Sequence, residues 1–122
     1  MLVDLLHQGG EGARPLRQDE QGLLRALLEC RSDFHSLEEQ IAHGLVFDML
    51  DGGMGSVLFA GDESRSLGVL LAEAEYVDAD GILVSIVVNA DQLGRLFEVD
   101  VWKVDFSGLK QYPRPDVLRI KR

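Results

Sequence analysis

The sequence predicts an α+β domain: one or two N-terminal helices packed on one face of an antiparallel, mostly meander sheet of about five strands. Three observations predict it. Apolar residues recur at helical spacing before Gly44 and in strand-like runs after it. Turn-forming clusters at Asp51–Gly55, Gly61–Ser64, Asp78–Gly81 and Asp91–Gly94 punctuate the second half. Registers chosen for two successive hairpins place apolar side chains on one common face. At 122 residues the chain is the length of one domain.

Residues 1–13 read as a flexible extension, because Gln8-Gly9-Gly10-Glu11-Gly12 is turn-rich and lacks periodicity. Leu2, Val3, Leu5 and Leu6 order only if they dock. Arg14-Pro15-Leu16 then leads into a helix at 19–31. Asp19 and Glu20 place negative charge in its first turn, where the helix dipole favours it. Leu16 is placed to staple that turn, and Leu23, Leu24, Leu27 and Leu28 form the core stripe. Cys30 falls at helical spacing from Leu23 and Leu27 and reads as a small core residue. A second helix spans Ser36 to His43, with Ser36 and Glu39 as a capping box and Gly44 as its stop.

Two strands follow, Leu45–Leu50 and Ser56–Ala60, and then three longer ones at about 67–77, 82–90 and 95–105. Asp78-Ala79-Asp80-Gly81 fits a three-residue hairpin loop, which pairs Tyr76 with Val84, Ala74 with Ile86 and Ala72 with Val88. Asp91–Gly94 fits a four-residue loop closed by Ala90 and Arg95. That closure pairs Val88 with Phe97, Ile86 with Val99 and Val84 with Val101. The helix stripe is expected to meet this apolar face, Phe97 included. The domain spans 14–113, since Pro113 and Pro115 lack the donor a central strand needs. Residues 114–122 form a tail with four basic residues and one acid.

The formal net charge is −9. It argues against nucleic acid and anionic membrane as partners and leaves basic proteins or peptides and metal ions open. The tail carries +3 of that total and the rest of the chain −12, so the acidity belongs to the body. The single cysteine, Cys30, permits no internal disulfide and suits a reducing cytoplasm. Met1–His7 lacks the basic start of a signal peptide, and no apolar run is long enough to cross a membrane.

The face opposite the core carries the sharpest candidate site. The registers put Glu75, Ser85 and Asp100 in one row across three strands, and Glu73, Val87 and Glu98 in the next. Four carboxylates so close repel one another unless something compensates them. They suit a solvated face, a basic partner, or a hard cation between Glu75 and Asp100. Trp102 shares that face, beside Leu83 and Val77 in this register. It either packs under the segment holding Tyr112 and Pro113 or anchors a partner.

The loop Asp51-Gly52-Gly53-Met54-Gly55 lacks the lysine of a phosphate loop and leads into a strand, so its glycines serve a tight connection. Met54 at its tip would be a recognition hint if exposed. Cys30, His7, His35 and His43 form no nucleophile pair, and no metal-ligand spacing or nucleophile elbow is present. The sequence therefore assigns no catalytic residue and no cofactor. It favours a binding or interaction module on the acidic face. A divalent-cation protein or cation-dependent enzyme on the same carboxylates is the alternative, and a homodimer through sheet faces or edges is also open.

Asp51-Gly52-Gly53-Met54-Gly55-Ser56, Asp78-x-Asp80-Gly81, Asn89-x-Asp91 and Gly94-Arg95-Leu96-Phe97-Glu98-x-Asp100-x-Trp102-Lys103-x-Asp105-Phe106 together carry a family resemblance. The chain resembles, from about Arg14 to Pro113, a family of small bacterial proteins known only as a domain of unknown function. The resemblance implies a bacterial, cytoplasmic protein and no activity, cofactor or substrate. Immunity proteins against toxins offer an analogy of build alone.

Overall fold

A computed structural model describes residues 12–121. The extension read over 1–13 falls outside them but for Gly12 and Ala13. Two helices, α1 (Gln18–Leu28) and α2 (Phe34–His43), pack on one face of a seven-stranded antiparallel sheet. Its strands are β1 (Arg14–Pro15), β2 (Leu45–Asp48), β3 (Val57–Phe59), β4 (Leu67–Val77), β5 (Leu83–Asp91), β6 (Leu96–Lys103) and β7 (Arg119–Lys121). They lie in the order β1-β2-β3-β6-β5-β4-β7. The α+β expectation holds. The count exceeds five because β1 and β7 are short edge strands, the latter formed by the tail alongside β4.

The α1 stripe buries Leu23, Leu24, Leu27 and Leu28, and α2 adds Leu37 and Ile41. They close over Ala74, Val84, Ile86, Val88, Val99 and Val101. Helix α1 stops three residues sooner than its spacing predicts, at Leu28. Cys30 consequently sits in the following turn and is exposed, not in the core. Helix α2 starts two residues earlier than Ser36, after Asp33, so the Ser36–Glu39 capping box does not form.

The first hairpin has the expected pairs, Tyr76 with Val84, Ala74 with Ile86 and Ala72 with Val88. The second slips by two residues: Val88 pairs with Val99, Ile86 with Val101 and Val84 with Lys103. The slip has two causes. Asp91 forms the same three-residue turn as Asp78, its N–H donating to the Arg95 carbonyl at 2.7 Å with Gly94 at φ 82°. That turn leaves Leu96 and Val99 facing opposite sides unless one residue is skipped. The ladder breaks between Asn89 and Ala90, so Phe97 bulges out and Leu96 joins the core. Phe97 instead receives the Arg65 guanidinium 5.2 Å from its ring centre.

Candidate functional site

The two-residue slip redraws the acidic face. Glu75, Ser85 and Trp102 now share a row, Glu73, Val87 and Asp100 the next, and Asn89 and Glu98 the third. Because the slip is even, every carboxylate stays on the face opposite the helices. The Glu75 and Asp100 pairing is lost. Glu75 instead makes an ion pair with Arg119 of β7, and Glu73 stands opposite Lys121. The basic tail thus pairs with one of the four predicted acids and sets a lysine across from a second.

Glu98 and Asp100 receive no such cation. Asn89 donates its side-chain amide to Glu98 at 3.1 Å. Burial pushes the Asp100 carboxyl up to about 6, helped by the negative field of Glu98, a hydrogen bond shared with it, and the charge of Asp51. Asp51 belongs to the glycine loop. Its two oxygens accept the N–H groups of Met54 at 3.0 Å and Ser56 at 2.8 Å. Gly52, Gly53 and Gly55 adopt φ of 73°, 83° and 92°, which only glycine takes without strain, and Gly53 accepts the Leu109 N–H. Met54 is half-buried, with its sulfur facing the Lys103 N–H at 3.3 Å, so it is not an exposed tip.

Trp102 does not pack under Tyr112. It is 48% exposed, and its ring centre lies 5.9 Å from that of Phe106, itself 68% exposed. Phe106 holds φ 64°, the left-handed region that bulky side chains avoid. Leu83, Val77 and Val104 continue the same patch, since Val77 pairs with Leu83 and the Val104 N–H reaches the Leu83 carbonyl. An apolar, aromatic end therefore abuts an acidic middle on one open face.

Sequence reasoning missed three buried ion networks. Lys103 points into the core side, fully buried. Its ammonium donates to Asp78 at 2.8 Å, Asp80 at 2.6 Å and the Gly108 carbonyl at 3.1 Å. Burial alone would raise the Asp78 carboxyl, but Lys103 and the N–H groups of Lys110 and Ala79 draw it down to about 2. Arg65, nearly buried, donates to Asp91 at 2.9 Å and to the Phe59, Ala60 and Leu96 carbonyls. Burial works against the Asp91 charge as well, yet the N–H groups of Arg95 and Leu93 and both arginines hold its carboxyl at about 2. Arg14 grips the buried Glu20 and the half-exposed Asp48 with paired bonds, joining β1, α1 and β2. The motif residues Asp78, Asp80, Asp91 and Lys103 are thus consumed by the fold. The signal was an acid at each hairpin turn and a lysine in phase with core valines. Among the described residues, no three histidine, cysteine or carboxylate side chains are placed to hold one metal ion.

The fold and this face define a single-sheet α+β domain whose turn acids are structural and whose outer face keeps unpaired carboxylates beside exposed aromatics. The chain belongs to the family described as Domain of unknown function (DUF6984), whose model matches residues 13–113. No curated protein and no solved structure matches it. Among the described residues, no helix is long and apolar enough to cross a membrane.

Proposed function

We propose that the protein is a non-catalytic binding module that takes a basic segment of a partner protein on the face bearing Glu98, Asp100 and Trp102. One observation carries the reading. Among the described residues, the other buried or partly buried acids make ion pairs or, like Glu73, stand opposite a lysine; Asp51, Glu98 and Asp100 do neither. Holding them together is unfavourable in the chain alone, and a cation from outside offsets that cost. Trp102 and Phe106 supply an apolar anchor beside them, and Phe106 keeps its exposed place despite a strained backbone. Immunity-type neutralisation of a basic toxin in a bacterial cytoplasm is one form this binding would take.

The test compares columns of the wild-type protein, Asp100→Asn and Trp102→Ala loaded with host lysate. A basic protein retained by the wild type at low salt, released at high salt and absent from both variant columns supports the reading. Equal retention on all three columns, or none on the wild type, rejects it.

A further inference from the structure

A groove of about 740 Å³ lies on the opposite side of the molecule from the acidic patch, between α2, the chain after β3 and the β5–β6 turn. Its size is that of a small-molecule site. Phe59, Ala60 and Leu96 give it a mostly apolar floor, and Gln40 closes it by accepting the Leu96 N–H at 2.7 Å. The floor is braced, because Arg65 ties Phe59, Ala60 and Leu96 together through their carbonyls.

One end of this groove is cationic, while Glu39 lines its α2 wall. Two guanidinium groups, Arg65 and Arg95, share one carboxylate, Asp91, and leave a formal excess of one positive charge. Arg65 is enclosed, but Arg95 is 44% exposed. It uses only its Nε on Asp91, and its terminal nitrogens make no hydrogen bond among the described residues. A free fork of this kind suits a carboxylate. The other acids nearby do not take it. Ser64 and, more weakly, the charges of Arg95 and Arg65 hold the Asp62 carboxyl down without an ion pair to either arginine, and Glu39 stands on the α2 wall without an ion pair to Arg95. Glu39 instead disfavours an anion on its own side, which orients the ligand.

We infer that this groove binds a small monocarboxylate with an apolar body, the acid group on Arg95 and the body against Phe59 and Leu96. The site is separate from the partner-binding face and does not depend on it.

The probes are 3-phenylpropionate, its neutral amide and inorganic phosphate, followed by backbone amide NMR shifts on the full chain. The acid is expected to move Gly44, Ala60 and Leu96 at about 1 mM or below, and to bind about tenfold more tightly than the amide. Arg95→Gln should remove that preference while leaving the weak binding of the amide. Ser36→Trp, which fills the groove mouth from an exposed helix position, should abolish both. Arg95→Lys keeps the charge without the fork and should fall between the wild type and Arg95→Gln. The inference is overturned if the acid moves none of these amides at about 10 mM, or if acid and amide bind the wild type equally. Phosphate binding as tightly as the acid, or an unchanged preference in Arg95→Gln and Arg95→Lys, also overturns it.

Discussion

Asp100 and Phe106 each hold a charge or a conformation that the local environment opposes. The Asp100 carboxyl titrates near 6 in the folded chain against 3.8 in the unfolded one. The folded state therefore holds the extra proton between those values, and stability from this group falls as pH rises from about 4 through 6. Asp100→Asn should accordingly be more stable than the wild type at pH 7 and indistinguishable from it near pH 3.5. Chemical denaturation at the two pH values measures the difference. Phe106 buries little and sits at φ 64°. Phe106→Gly should raise stability by about 1 kcal/mol through relief of backbone strain while weakening capture of the basic partner. A thermal melt and the column assay read the two effects separately.

At the scale of elements, the hairpins explain what the sequence could and could not disclose. Asp78–Gly81 and Asp91–Gly94 share the pattern Asp-x-x-Gly and form the same turn. Reading only the first as a three-residue loop misplaced the second by one residue. The other residue of the slip came from the Phe97 bulge. That bulge was legible in principle, because Leu96 and Val99 are both apolar yet three apart, a spacing a regular strand cannot bury on one side. The helix stripe and the face of each carboxylate followed from periodicity, and the first register from its turn. The Lys103, Arg65 and Arg14 networks did not, because long-range ion pairs depend on side chains 6 to 34 residues apart meeting in space. Gly94 at φ 82° sets the second turn. Gly94→Ala should cost about 1–2 kcal/mol in a denaturant titration and leave the first hairpin intact.

For the molecule as a whole, the net charge of −9 is unevenly compensated. Cations are concentrated where chain segments must be held together: at the sheet edges, the hairpin turns and the tail strand. Among the partly buried acids of the described residues, Asp51, Glu98 and Asp100 are left without a cation, and Glu98 and Asp100 lie on the outer face. The two deepest turn acids, Asp78 and Asp91, have folded values near 2 against 3.8 unfolded. Their contribution is present above about pH 4 and is lost as pH falls toward 2, a window in which Asp100 no longer changes stability. Acid unfolding should therefore be steep between those limits. Asp91→Asn should shift its midpoint to higher pH, as circular dichroism would record.

The enclosure of Lys103 also makes the chain its own chemical reporter. Of the three lysines in the sequence, Lys110 and Lys121 are exposed, whereas the Lys103 amine is fully covered and engaged by two carboxylates. A brief pulse of an acylating reagent should mark the first two within seconds and leave Lys103 unmodified while the fold persists. The mass of the peptide containing Lys103 would then record each opening of the molecule, one covalent tag at a time.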